Sequence, residues 1–457
     1  MTVDRLAYGG EAVGRCAGLV VFASGAAAGE TVRVRVRRVQ RRHVEADVIA
    51  VNTASPDRIP PRCVHFAQGC GGCTWQHVSD AAQLRAKENA VRDSLERLGG
   101  LHDLPLRPII PAPSPWEYRN KMEFAFHPEG VLGLHPRGAW HSILPLAECY
   151  LASPATVALV KAAQAFVREA NLSLHDPRTH TGLLRELVVR HSQGTGETML
   201  GIVTSPGPFE AATAMANALA ATDASVVSVV RSIRASFDTS APLQENTLLR
   251  GQDHITETIA GLHFDIGVGT FFQTNSAQAE RLVTLVRELA GDLAGALVLD
   301  VYCGVGMFTL ALAAAGAKAV GIELSVASIE AARLNAQANG LPQALFYAGD
   351  ARSVLPQVLA EHGTPRVLIL DPPRSGAGGK VMRRIARSAP DRIIYVSCNP
   401  TTLARDLADL TPFGYQISVV QPIDLFPQTY HVETVVALDR QTAPAAVVTP
   451  DEPDSAS

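Results

Sequence analysis

The sequence predicts an α/β protein: a doubly wound parallel sheet in the C-terminal half, preceded by a small β-barrel and a β-rich central unit. Three observations carry this prediction. Between about 280 and 440, the short apolar runs VLDVY, AVGIE, VLILD and IIYVS alternate with helical stretches, as strands buried on both faces of a parallel sheet do. Residues 1–53 hold short Val-rich runs parted by the glycine turns Tyr8-Gly9-Gly10 and Ser24-Gly25, the pattern of a small all-β unit. From about 116 to 268, Val/Ile/Leu strands and turns again dominate, with helices near 154–170 and 208–221.

The first unit, assigned to 1–56, contains TVRVRVRRV at 31–39. Strict alternation predicts a strand with Val32, Val34 and Val36 on one face and Arg33, Arg35 and Arg37 on the other. Arg38, Arg41 and Arg42 extend the charge, with no matching acid close in sequence. Residues 1–62 carry ten arginines against six carboxylates, a surplus of four, whereas the whole chain has net charge −4. Basic charge gathered at one end of an otherwise acidic chain suits phosphate contact.

A Pro-rich linker (54–62) leads to a cysteine cluster. Residues 78–99 form an amphipathic helix, capped by Ser79 or Asp80 and stopped by Gly99-Gly100. Five prolines between 105 and 115 make that stretch irregular. The central unit is assigned to 57–80 and 113–268, and the doubly wound unit to 81–112 and 269–440. The tail, 441–457, is rich in Pro, Ala and Asp and is expected to be disordered. No apolar run reaches membrane-spanning length and no export signal is visible, so a cytoplasmic location without membrane attachment is expected. Nothing points to an obligate protein partner.

LVLDVYCGVGMFT at 297–309 reads as a strand ending at Asp300, then a Gly304-x-Gly306 turn opening a helix. This is the crossover at which a doubly wound sheet takes a nucleoside cofactor. Three features favour S-adenosylmethionine over NAD. Thr309 replaces the third glycine of the dinucleotide fingerprint. Asp300 before the glycines suits a cation better than a phosphate. Acids continue to end strands, through Glu323, placed to take ribose hydroxyls, Asp350, placed to approach adenine, and DPPR at 371–374.

IYVSCNP at 394–400 presents Cys398 on a loop at the ligand-binding edge of the sheet. Carbon 5 of uracil is a poor nucleophile. A thiolate adding at carbon 6 turns the ring into an enolate, after which carbon 5 attacks a methyl donor and a base removes its proton. Glu433, in TYHVETVVAL, is placed to be that base; a solvated strand-end acid is the plainer alternative.

FFQTN at 271–275, DVYCGVG at 300–306, DPPR at 371–374, SCNP at 397–400 and HVET at 431–434 occur jointly and in this order. In this the chain resembles the RNA uracil-5-methyltransferases over about residues 1–440. The resemblance implies a Rossmann-like class I methyltransferase domain behind an N-terminal TRAM (OB-like) barrel that binds structured RNA, ribosomal or transfer. It implies Cys398 as nucleophile and Glu433 as general base. Gln273, Tyr302, Gly304, Gly306, Glu323, Asp350 and Asp371 would surround S-adenosylmethionine, with Arg374 near both ligands. Met307 stands where the family commonly has Asn, which removes one polar cofactor contact. In YRNK at 118–121, Arg119 and Lys121 are candidates for phosphate contact. Methylation at another base position, or an inactive RNA-binding protein, are the competing readings; intact Cys398, Glu433 and glycine loop oppose the latter.

Seven cysteines, an odd number in a long chain without an export signal, argue against a disulfide framework. Cys63-x6-Cys70-x2-Cys73, on a Gly-rich loop, reads as a metal site. Outside the C-terminal unit only Cys149 and Cys16 remain as a fourth ligand. By similarity to family members with related spacing, Cys63, Cys70, Cys73 and Cys149 hold a 4Fe-4S cluster, with zinc as the alternative. Methyl transfer needs no redox step, so its expected task is structural.

Overall fold

The computed structural model describes residues 1–441 except 140, 237, 239, 240 and 242. Beyond Gln441 the expected tail lies outside the described residues. No described helix is long and apolar enough to cross a membrane.

Five strands close the N-terminal barrel: β1 (Thr2–Leu6), β2 (Ala12–Cys16), β3 (Leu19–Ser24), β4 (Thr31–Val39) and β5 (His43–Thr53), in the order β1-β2-β3-β5-β4. The predicted alternation along β4 is realised only at its start. Val32 is buried, but Val36 and Val39 are 56% and 70% exposed. β4 slips register against β5 between Arg33 and Val34 and again between Val36 and Arg38; each slip turns side chains to the other face. Arg37 is met by Glu11, Glu45 and Asp47, acids brought in by neighbouring strands. Arg33, Arg35, Arg38, Arg41 and Arg42 are exposed.

The central sheet comprises β6 (Lys121–His127), β7 (Val131–Leu134), β8 (Leu144–Pro145), β9 (Leu184–His191), β10 (Thr198–Thr204), β11 (Val226–Ile233) and β12 (Gln244–Gly251), ordered β12-β11-β10-β9-β6-β7-β8. Helices Pro154–Glu169 and Ala212–Thr222 pack Leu159, Val160, Met215 and Leu219 against it. A hairpin, β13 (Ile255–Ile259) and β14 (Leu262–Ile266), bridges outward. Ile255 packs with Val188 and Met199 of the central sheet, while Ile259, Phe264 and Ile266 join the C-terminal core.

The C-terminal sheet holds β15 (Leu297–Val301), β16 (Lys318–Glu323), β17 (Leu345–Ala348), β18 (Val367–Leu370), β19 (Arg392–Ser397), β20 (Tyr415–Ile423) and β21 (Glu433–Arg440), ordered β17-β16-β15-β18-β19-β21-β20. The first five strands in this order are parallel. The chain winds from β15 out to β17, then returns to lay β18 on the other side of β15. That reversal opens a crevice at the carboxyl ends of the strands. β21 runs antiparallel between β19 and β20, so its start lies beside the end of β19.

Helix Asp80–Gly99, capped by Ser79, packs Val91 and Leu95 with Val301, Leu370 and Leu403 in a second core cluster of the C-terminal sheet. The Pro-rich segment is irregular but not idle. Arg107 N donates to Val420 O at 2.9 Å and Ile110 N to Pro422 O at 3.0 Å, which covers the β20 edge of the sheet.

Candidate active site

After β15 the backbone turns sharply, with Tyr302, Gly304 and Gly306 at φ +71°, +55° and +90°. Tyr302 adopts the left-handed region despite its Cβ. It is held there by N–H bonds from Tyr302 and Cys303 to Ile322 O, 2.8 and 3.1 Å. A Cβ at Gly306 would stand 3.2 Å from the Phe346 ring, so any other residue there would be crowded as well as strained by the positive φ. Gly304 N donates to Glu323 Oε2 at 3.2 Å, and Ser325 N to Glu323 Oε1 at 2.9 Å. Asp350 caps helix Ala351–His362 and pairs with the Arg352 guanidinium at 3.0 Å. Tyr302, Glu323, Gly349, Asp350 and Gly378 line one cleft of about 360 Å³, within the range of small-molecule sites.

Asp300 lies beneath this loop. Thr309, which replaces the third glycine, donates its N–H and its hydroxyl to Asp300 Oδ2 at 2.9 and 2.6 Å. Asp300 Oδ1 is buried without a hydrogen-bond partner. Burial pushes the Asp300 carboxyl up to about 6, and burial with the Asp300 charge pushes Asp371 up to about 7. Met307 is buried in the apolar core. Gln273 does not line the cleft; its carbonyl accepts from Asn120 Nδ2 at 2.9 Å.

β19 pairs with β21 so that Ser397 opposes Thr434. Cys398 follows Ser397 directly and Glu433 precedes Thr434, so the two lie at the adjoining ends of these strands. Cys398 is half-buried. Burial, then the charges of Glu433 and Asp371, push its thiol up to about 11, while Arg374 pulls it down by charge and hydrogen bond. Glu433 is only 2% exposed, and its Oε1 has no hydrogen-bond partner. Burial and the Asp371 charge hold its carboxyl well above the usual range. The reading of Glu433 as a solvated acid is thus excluded.

The loop entering β21 is clamped by residues that the sequence reading passed over. Lys87 Nζ, fully buried, donates to Asp424 Oδ1 at 2.6 Å and Phe426 O at 3.0 Å. Gln83 exchanges hydrogen bonds with Gln428 at 3.0 and 3.1 Å. Asn275 Nδ2 donates to Leu425 O at 3.0 Å, and Gln278 Nε2 to Asp424 O at 2.7 Å. A signal was present: Gln83 and Lys87 sit eight and four residues before Val91, on the helix stripe that Val91 and Leu95 bury.

Cys63, Cys70, Cys73 and Cys149 all carry free thiols and line one cavity with Phe66, Leu134, Leu144, Leu146 and Leu151. Gln76 Nε2 donates to Cys73 Sγ at 3.1 Å and Gly72 N to Cys70 Sγ at 3.5 Å. Burial pushes Cys63 up to about 11 and Cys73 up to about 12. Among the described residues no group of three or more His, Cys, Asp or Glu is arranged to hold a single ion. The phosphate-contact reading of YRNK is corrected here. Lys121 pairs with Glu123 at 2.6 Å, and Arg119 turns inward, its buried Nε unpartnered and its charge close to Cys73 and Cys149.

The doubly wound sheet, its inserted antiparallel strand and the acid-lined cleft at the switch point define a class I, S-adenosylmethionine-dependent methyltransferase. The family described as tRNA (Uracil-5-)-methyltransferase matches residues 211–346 and 357–441, and the TRAM domain matches residues 1–49. An uncharacterized RNA methyltransferase of Gloeobacter violaceus is 38% identical over 96% of this chain and 95% of its own length. Another, from Nitratidesulfovibrio vulgaris, is 39% identical over 96% of each chain. The crystal structure of Pyrococcus abyssi tRNA (uracil-54, C5)-methyltransferase with S-adenosyl-L-homocysteine superposes with TM-score 0.76 at 28% identity, covering 96% of this chain and 99% of that one. The chain belongs to the tRNA (uracil-5-)-methyltransferase family and is an RNA methyltransferase with an N-terminal TRAM domain.

Proposed function

We propose that the protein methylates carbon 5 of a uridine in structured RNA through a transient bond between Cys398 and carbon 6. The observation that carries this is the closeness of Cys398 to the buried Glu433 and Asp371 carboxyls at the carboxyl edge of a sheet whose other strand ends open the cleft lined by Tyr302, Glu323 and Asp350.

Bound S-adenosylmethionine supplies an electrophilic methyl group. Glu323 and Asp350 are the acceptors for the ribose and adenine ends, Gly304 and Gly306 leave room for the close approach, and Asp371 completes the set; Gln273, which the family resemblance adds, stands outside this cleft. Cys398 first loses its proton to solvent; the thiolate then gives its electron pair to carbon 6, and the ring's displaced pair moves onto the carbon 4 oxygen. The enolate pair returns through carbon 5 to the methyl carbon, and the sulfur–methyl bonding pair would stay with the donor, which leaves as the neutral thioether. Glu433, in its ionised form, accepts the carbon 5 proton, the carbon 5–carbon 6 double bond re-forms and the thiolate leaves. Arg374 favours the thiolate. The target base must leave its stack, because attack comes at the ring face. In this reading residues 1–56 seat the RNA, 57–80 and 113–268 form the central domain, and 81–112 with 269–440 form the catalytic domain.

The four thiols fit a 4Fe-4S cluster. They converge on one apolar cavity, two of the sulfurs accept N–H bonds, and the raised thiols of Cys63 and Cys73 ionise only when a cation compensates them. Cys63, Cys70, Cys73 and Cys149 would hold the cluster, and its role would be structural. Ribosomal RNA is the preferred substrate, by analogy with cluster-bearing family members; the archaeal tRNA enzyme supports transfer RNA as the second reading. Mapping 5-methyluridine in total RNA from cells with and without the protein decides between them. Loss of no 5-methyluridine in either RNA would remove the proposal.

A further inference from the structure

The barrel does more than stand beside the active site. Its β1–β2 turn, closed by Ala7 N to Glu11 O at 2.8 Å and Gly10 N to Ala7 O at 3.1 Å, reaches across the domain boundary. Tyr8, in that turn, donates its hydroxyl to the backbone carbonyl of Cys398 at 3.3 Å. Its ring packs edge-on against Tyr430 of the loop entering β21, with centroids 5.5 Å apart. Two further ties hold the turn in place. Trp75 Nε1 donates to Gly10 O at 2.9 Å, and a Cβ at Gly10 would meet the Tyr430 ring at 3.0 Å. Thr74, next to Trp75, gives its N–H to Gln428 O at 2.9 Å, while its hydroxyl oxygen accepts from Tyr430 N at 3.1 Å.

We propose that Tyr8 is a positioning residue for the methyl transfer: its hydroxyl fixes the backbone of the nucleophile loop, so the domain that seats RNA also sets the attack geometry of Cys398. This rests on Cys398 being the nucleophile. A hydroxyl 390 residues away in sequence is not needed to close a strand end. Asn399 already caps the following helix by accepting from Thr401 N at 3.1 Å. Burial and the nearby Cys398 keep the Tyr8 phenol protonated, hence a donor. Small errors at a reacting centre cost far more rate than affinity, so removing this bond acts on chemistry.

The test is single-turnover adduct formation with an RNA carrying 5-fluorouridine at the target, comparing wild type, Tyr8→Phe and Tyr8→Ala. Tyr8→Phe keeps the ring against Tyr430 and loses only the hydroxyl. It should bind RNA within about twofold of wild type yet form the adduct about tenfold more slowly at saturating RNA; Tyr8→Ala should be slower still. In RNA-free protein, peptide-resolved iodoacetamide labelling should speed up at Cys398 in Tyr8→Phe. Labelling of the buried Cys303 should not change, which separates a loosened loop from a loosened fold. An unchanged adduct rate in Tyr8→Phe, a deficit abolished by more RNA, or parallel changes at Cys398 and Cys303 overturns the role of Tyr8. If wild type itself forms no adduct, the nucleophile reading fails first.

Discussion

Cys398 and Glu433 lie at the adjoining ends of β19 and β21, each next to the Ser397–Thr434 pair that closes their antiparallel ladder. The buried Glu433 carboxyl lies close enough for its charge to raise the Cys398 thiol. The relation exists because β21 inserts between β19 and β20. A simple parallel continuation would have sent residue 433 to the far edge of the sheet.

Glu433→Gln keeps the shape of the site and removes the base. We expect the methylated covalent intermediate to accumulate, with turnover about 10²–10⁴-fold lower and adduct formation preserved. Denaturing gels that resolve RNA-linked protein measure both. Normal product release in the variant would show that another group takes the carbon 5 proton.

Asp371 is raised from 3.8 to about 7 by burial and by Asp300. Its folded state therefore holds a proton more tightly than its unfolded state. The stability this supplies is complete below about pH 4 and is lost as pH rises through about 7. Asp371→Asn, neutral throughout, should melt higher than wild type at pH 8, by about 2–4 °C for each kcal/mol relieved, and match it near pH 4, while losing cofactor affinity. A stabilisation that is equal at both pH values would contradict the linkage.

Lys87 and Asp424 form an ion pair at 2.6 Å with Lys87 fully buried. Removing one partner strands the other charge, so Lys87→Met should cost about 3–5 kcal/mol. The double variant Lys87→Met/Asp424→Leu should recover most of it. Urea denaturation of the three proteins measures the coupling; additive losses would mean that the two side chains do not stabilise each other.

Anaerobic purification should yield a brown protein with about four irons and broad visible absorption. Cys73→Ser should bleach it and lower its melting temperature, since Thr74 and Trp75 bond the Gln428 carbonyl. A colourless protein with one zinc per chain would overturn the iron–sulfur assignment.

What could be read from sequence was local. The cofactor turn announces itself because a strand-ending acid and two left-handed glycines lie within seven residues. Cys398 announces itself because an apolar strand gives way to polar loop chemistry at the thiol. The ladder that unites Cys398 with Glu433 is non-local and depends on strand order. Lys87 was hidden because a lysine on an amphipathic helix is ordinarily given to solvent, and its partner Asp424 is 337 residues away. The exposure of Val36 and Val39 follows from register slips that alternation does not reveal. Arg119 and Lys121 were expected at the RNA face because charge was read without the fold that turns it inward.

The most direct test is the denaturant-stable complex between the protein and a target RNA bearing 5-fluorouridine, formed in the presence of S-adenosylmethionine. Wild type should form it stoichiometrically, and Cys398→Ala, folded and binding RNA normally, should form none. A covalent complex of wild-type yield from Cys398→Ala would contradict the account.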